Sequence, residues 1–426
     1  MLRPEMRLAA KYSVVRWILL LVLGSLRAQE APDPARNATA SPLEESRENA
    51  IRAVDDLLRH WWIGDESTGH LTPTHGGCPT NNLGVLWERA VVICALDGLC
   101  GAMDDPHLRQ RIRAQWIHER ETFRPAELEA CGSGTHSPWC DDAAWSLLYY
   151  VIVFQRTGEA DALERAKGMA QNIHTRWSDD ELGGGLWYND KRQIKSLYAV
   201  AYVYGCLGVY EATHDSKYRD LALTEYQWIE THLLRPDNLY WCDYSAGPPA
   251  DAQRPRGPVG ADRPQQIRAG GSVVYLGGNM GMGACQAYLY QLTGDDAYRQ
   301  AAFRTAAALS THLKNAQGCY INDRDAFNNG IFASLWARRL ITLPGFDPEP
   351  LAVLRVTAKA VAASRTTPAY VPAYGPGGEG FYPGDWDGGS HWETSGSMAN
   401  MMHVSASSIG IIVAAAYDYL PVLPGK

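Results

Sequence analysis

Phenylalanine is scarce in this sequence: 7 residues against 14 Trp and 22 Tyr. Trp and Tyr carry an apolar face and a polar edge, a pairing suited to stacking on sugar rings or to packing a large core. Basic runs are absent outside the extreme N-terminus, and the net charge is -8. That balance excludes a polyanionic partner such as nucleic acid, which needs basic faces that neutralise phosphates. No Cys-x-x-Cys pair occurs among the nine cysteines, which removes zinc-ribbon and thioredoxin-like readings. Gly-x-Ser-x-Gly, His-Glu-x-x-His and phosphate-loop patterns are missing too, and with them the hydrolase, metalloprotease and nucleotide chemistries they carry. Sustained strand alternation is found nowhere, so a β-rich fold is excluded.

An apolar fraction of 46% over 426 residues provides for a substantial core. The first 28 residues have the layout of a secretory signal. Arg3, Arg7, Lys11 and Arg16 precede the apolar stretch Trp17 to Leu26, and Ala28 is the expected cleavage residue. That stretch falls short of the ~20 residues a membrane-spanning helix needs. Residues 29–43 are rich in Pro, Ala and small polar residues and read as a linker, with a glycosylation sequon at Asn37-Ala38-Thr39. The tail from Tyr417 to Lys426 shows no lipid-anchor pattern. The expectation is a secreted glycoprotein with one domain over 44–426. Cys131 and Cys140 bracket a Gly/Ser/Pro loop and are expected to form a local disulfide, whereas Cys206 and Cys285 lie in apolar runs and are expected to be buried thiols.

Helical period runs through nearly every long segment. It predicts helices near 44–62, 82–99, 107–121, 141–156, 159–175, 192–212, 215–233, 278–292, 295–313, 326–341, 349–363 and 396–418. The helices come in pairs with a degenerate repeat at the turns: Phe154 to Glu159, Tyr210 to Asp215 and Tyr290 to Asp295. Each is an apolar helix end, a short turn and an acidic residue that caps the next helix. About six helical hairpins can close into an all-α toroid, the (α/α)6 barrel; a solenoid of helix pairs is the competing architecture. Three long irregular loops, 133–142, 243–271 and 370–396, alternate with the tight turns and favour the barrel, with long loops on one rim.

Within Trp139-Cys140-Asp141-Asp142, two carboxylates sit where a Gly/Pro loop becomes an apolar helix. Glycosidic cleavage uses two carboxyl groups, one as nucleophile or base and one as acid. Adjacent carboxylates resist joint ionisation, which raises one pKa, and the helix N-terminus favours the ionised partner. The plainer reading is an ordinary helix cap, since Asp-Asp also occurs at Asp55-Asp56, Asp104-Asp105, Asp179-Asp180 and Asp295-Asp296.

The order of motifs resembles glycoside hydrolase family 76, the endo-α-1,6-mannanases and their fungal cell-wall relatives. A helix opening on a double aspartate with Trp three residues on is matched by Asp141-Asp142 and Trp145. A glycine triplet before aromatics is matched by Gly183-Gly184-Gly185 with Trp187 and Tyr188. Gly278-Asn279-Met280-Gly281, then Leu289-Tyr290 and Thr293-Gly294-Asp295, resemble a third motif, and Phe327 to Phe332 a fourth. The resemblance spans about residues 45–415. It implies an (α/α)6 barrel and a retaining mechanism, with Asp141 as nucleophile and Asp142 as general acid/base. It implies no metal or organic cofactor, α-mannan or manno-oligosaccharides as substrate, and Trp139, Trp187, Tyr188 and Asn279 as substrate-binding residues. The sequence departs from the family at Gly278 and Met280, where Tyr and Gln are usual, and over Lys191 to Ser196, where two amides are missing. Those departures keep open a transglycosylase on wall mannan and a glycan-binding wall protein. An epimerase or unsaturated-uronide hydrolase on the same barrel is a further rival, with His391 and His403 as the histidine pair an epimerase needs. Asp385 and Asp387 as a calcium loop, His391, Glu393 and His403 as metal ligands, and Asp323 and Asp325 as rim residues are weaker candidates.

Overall fold

The computed structural model describes residues 41–71, 86–122, 139–192, 194–245, 276–321, 326–365, 382 and 398–418. The expected signal segment and nearly all of the linker lie outside these residues, as do Cys131, Asp323, Asp325, Asp385, Asp387, His391, Glu393 and the side chain of His403. Leu43–Lys426 makes one unit.

Twelve α-helices are present among the described residues: α1 (Pro42–Trp61), α2 (Leu86–Met103), α3 (Pro106–Thr122), α4 (Cys140–Thr157), α5 (Ala160–Trp177), α6 (Val200–Thr213), α7 (Ser216–His232), α8 (Leu276–Thr293), α9 (Asp296–His312), α10 (Ala326–Leu340), α11 (Glu349–Ala363) and α12 (Met398–Ala414). The even-numbered helices form a closed ring: α2 packs on α4, α4 on α6, α6 on α8, α8 on α10, α10 on α12, and α12 on α2 again. Ring closure is what separates the barrel from the solenoid. The architecture is the (α/α)6 barrel.

Burial explains which helices are inside. In α6 every residue from Val200 to Val209 is buried, and in α8 every residue from Leu276 to Leu289; a helix apolar all round belongs inside a core. Outer helices bury one stripe, as α5 does with Ala162, Ala166, Met169, Ala170, Ile173 and Trp177. Close approach within the ring uses glycine. At Gly330 a Cβ would lie 1.6 Å from the carbonyl oxygen of Ser407, so α10 and α12 cross backbone to backbone there.

The turns from inner to outer helices are short. Gly158, His214 and Gly294 end α4, α6 and α8 in the left-handed conformation, with φ of 72, 55 and 71°. Thr157, Thr213 and Thr293 each bond the carbonyl four residues back and accept the N–H two residues on. Asp215 and Asp295 then cap the next helices through Lys217 N and Ala297 N, while Glu159 makes no such side-chain bond. Connections from outer to inner helices are the long ones. Because every inner helix follows a long connection, all six inner N-termini face one rim.

The expected helix 192–212 is corrected at its start. Ile194–Ser196 is a strand, β3, followed by a 3-10 turn over Leu197–Ala199 before α6 begins. β3 pairs antiparallel with β4 (Asp243–Ser245), and a second small pair joins β1 (Trp62–Ile63) to β2 (His70–Leu71). Strands of two or three residues are too short to show alternation. Among the described residues Cys140 is a buried free thiol, its expected partner Cys131 lying outside them, while Cys206 and Cys285 are buried thiols as expected. Among the described residues no helix is long and apolar enough to cross a membrane.

Candidate active site

Asp141 and Asp142 occupy the first turn of α4, at the rim where the inner N-termini gather. The residue before this helix, Trp139, gives α4 no side-chain cap. The capping comes from elsewhere: Cys140 N–H donates to the carbonyl oxygen of Tyr188 at 2.8 Å, and Trp139 pairs with Asn189 in a β-bridge. A ribbon of extended segments therefore runs from β4 through β3 and Leu186–Asn189 to Trp139. Tyr188 N–H donates to Ile194 O at 2.7 Å and Trp187 pairs with Lys195.

The same ribbon aims Tyr188 at the acid pair. Its hydroxyl donates to Asp141 Oδ2 at 3.4 Å. Asp141 Oδ1 is buried and has no hydrogen-bond partner among the described residues. Burial, followed by the charge of Asp142, pushes Asp141 well above the usual carboxylate range; the backbone N–H groups of Asp141 and Asp142 and the Tyr188 hydroxyl pull it partly back. Adjacent carboxyls resist joint ionisation, and the charge of Asp142 works in that direction on Asp141. Trp139 is 40% exposed, its ring 5.1 Å from that of Tyr188, which in turn stacks on Tyr198 at 5.7 Å. An acid pair beside an aromatic wall is equipped to bind a sugar ring and to donate or accept a proton at its edge.

Two expected substrate-binding residues lie elsewhere. Trp187 is buried; its indole N–H bonds Asp179 and the Lys195 ammonium covers its ring at 4.5 Å. Asn279 is fully buried in α8 and pins Tyr240, accepting its N–H at 2.7 Å and donating to its carbonyl at 3.3 Å. Both pack the barrel because the inner-helix and ribbon positions they occupy turn away from solvent. Gly278 and Met280 are likewise buried, and Arg192 forms an ion pair with Asp179 at 2.8 Å. Sequence reasoning missed Lys195, Asp179 and Glu225, three titratable groups that converge beneath the ribbon. The available signal was a lysine between Ile194 and Leu197, ten residues after the last glycine of a triplet. Among the described residues no group of three or more His, Cys, Asp or Glu could hold a metal ion.

The profile of glycosyl hydrolase family 76 matches residues 46–409, nearly the whole folded unit. The chain belongs to glycosyl hydrolase family 76. Family 76 membership makes it a glycoside hydrolase and agrees with the ring of helices. No curated protein sequence matches it. Solved structures do. The α-1,6-mannanase GH76A of Salegentibacter sp. HEL1_6 superposes with a TM-score of 0.63 at 15% identity, over 87% of this chain and 98% of that one. An inactive variant of the same mannanase, with two consecutive aspartates changed to asparagine and α-1,6-mannotriose bound, gives 0.62 at 15% identity, over 87% and 99%. Dfg5 from Chaetomium thermophilum, in complex with glucosamine, gives 0.61 at 15% identity, over 87% and 90%. At such identities the similarity is one of fold.

Proposed function

We propose that this family 76 protein is a secreted, retaining, endo-acting α-1,6-mannosidase of mannan, with Asp141 as nucleophile and Asp142 as general acid/base. The observation that carries the reading is the adjacent acid pair at the start of α4, with the Tyr188 hydroxyl on Asp141 and the exposed Trp139 ring beside it. Support comes from the Salegentibacter mannanase, whose variant with two consecutive aspartates replaced is inactive and binds α-1,6-mannotriose.

The chemistry runs in two steps. Asp142 donates its proton to the glycosidic oxygen as Asp141 attacks the anomeric carbon; the leaving saccharide departs and a glycosyl ester forms on Asp141. Asp142, now a carboxylate, takes a proton from water, which attacks the same carbon and restores Asp141. A sugar hydroxyl in place of that water gives transfer. Burial works against the Asp141 anion that the attack requires. The helix N-terminus and the Tyr188 hydroxyl both favour that anion.

The test incubates the protein with linear α-1,6-mannan and reads product masses. Shorter fragments support hydrolysis, and products longer than the substrate support transfer. Tight binding without products would replace the enzyme reading with a glycan-binding one.

A further inference from the structure

One buried cation in the ribbon has no part in the two-step chemistry. The Lys195 side chain is 0% exposed, and a buried ammonium is tolerated only when paired and hydrogen-bonded. Its Nζ donates to the carbonyl oxygens of Gly184 and Gly185, the latter at 3.0 Å, and lies 3.6 Å from Asp179 Oδ1. Trp187 and Trp228 face it at 4.5 and 5.6 Å. Glu225 is the other titratable group that bears on this place. Burial pushes its carboxyl up to about 8, against the pull of Lys195, and Asp179 is the carboxylate within ion-pair distance of the ammonium.

The carbonyls reach Lys195 because Gly183, Gly184 and Gly185 hold φ of 78, 95 and 81°, a region other residues rarely adopt. At Gly185 a Cβ would also lie 2.4 Å from Cδ2 of Trp228. The turn so fixed leads directly into Leu186–Asn189. That segment pairs with Ser178 on one side and with Lys195 on the other, donates the Tyr188 hydroxyl to Asp141, and caps α4 through Tyr188 O.

The geometry points to Lys195 as a positioning residue for the acid pair: its ammonium clamps the Gly184-Gly185 turn, and that turn sets Tyr188 against Asp141. This rests on the reading of Asp141 and Asp142 as the reacting groups. Among the described residues Asp141 is faced by Asp142 and the Cys140 thiol on its own helix and by Tyr188 on the ribbon, and Lys195 by Asp179, which also holds Arg192, and by Glu225. The Tyr188 bond lowers the Asp141 pKa, so a displaced Tyr188 raises it.

The test compares wild type with Lys195→Met, Tyr188→Phe and the double variant. Methionine keeps the buried stem. Two measurements are made: the pH profile of mannan turnover, and the Asp141 carboxyl titration by NMR of protein labelled with 13C at aspartate carboxyls. Lys195→Met is expected to lower kcat on the order of 10- to 100-fold with KM nearly unchanged, and to move the acid limb to higher pH. Tyr188→Phe moves it the same way, and the double variant is no worse than Lys195→Met alone. Should Lys195→Met fail to fold, Asp179→Asn removes the counter-charge and is expected to give a smaller shift of the same sign. An unshifted Asp141 titration in a folded variant, or independent effects of Lys195→Met and Tyr188→Phe, would overturn the positioning role. If wild type leaves mannan intact yet Lys195→Met still moves the Asp141 titration, the mannanase reading fails and the clamp stands.

Discussion

Replacing Asp97 by asparagine removes a negative charge that ties three inner helices together at the rim opposite the acid pair. Asp97 lies near the end of α2 with its side chain 2% exposed. It accepts from Arg156 Nε on α4 and from Arg338 Nη1 on α10 at 3.1 Å, and Arg338 also reaches the Tyr204 hydroxyl on α6. Removing one partner of a buried ion pair costs about 3–5 kcal/mol, because the other charges stay buried without compensation. The Arg156 and Arg338 side chains are 19% and 21% exposed, which places the cost toward the lower end. Unfolding entropy is about 2.1 cal/mol/K per residue, which over Leu43–Lys426 is roughly 0.8 kcal/mol/K. A loss of about 3 kcal/mol then lowers Tm by about 4 °C. The assay is thermal unfolding by circular dichroism, paired with turnover measured well below Tm. Turnover per folded molecule is expected to hold at the wild-type value, since the network lies away from Asp141. A stability loss under about 1 kcal/mol, the range of exposed pairs, would refute the claim that this carboxylate braces the ring.

Asn279→Ala is expected to cost about 1–3 kcal/mol, from two lost bonds to the Tyr240 backbone; substrate titration should find KM unchanged, and a raised KM would return Asn279 to the sugar site. Trp139→Ala should raise KM while leaving Tm nearly unaltered, because its ring is 40% exposed; an unchanged KM would deny the aromatic wall a role in binding. Glu225 makes stability depend on pH. Its folded pKa of about 8 lies above the ordinary 4.5, so the native state holds the proton more tightly than the unfolded chain. Stability from this group is complete below about 4.5 and declines as pH rises toward 8. Glu225→Gln should flatten the decline of Tm between those values, and an unaltered slope would show that Glu225 does not titrate there.

Much of the fold was legible because helical period survives in the sequence even where tertiary packing decides the details. The tight turns at Thr157, Thr213 and Thr293 repeat a local chemistry of hydroxyl, left-handed residue and acid that needs no distant partner. The helix opening at Asp141 was visible for the same reason. Distant contacts were not legible. Trp187 and Tyr188 are neighbours in sequence, yet alternation in the ribbon sends one under Lys195 and the other toward Asp141. Asn279 looked like a polar group on offer to substrate because nothing in the sequence shows Tyr240 arriving beside it. Lys195 reads as one more basic residue until the glycine triplet folds its carbonyls over it. Three-residue strands such as β3 carry no period, so the helix expected from 192 absorbed it.

Whether Asp141 and Asp142 carry out glycosidic cleavage is decided by mannan digestion with wild type and with Asp141→Asn, products sized by mass spectrometry. Shorter or rearranged manno-oligosaccharides from wild type, absent from a folded Asp141→Asn variant, are predicted. Equal product formation by both proteins would contradict that role.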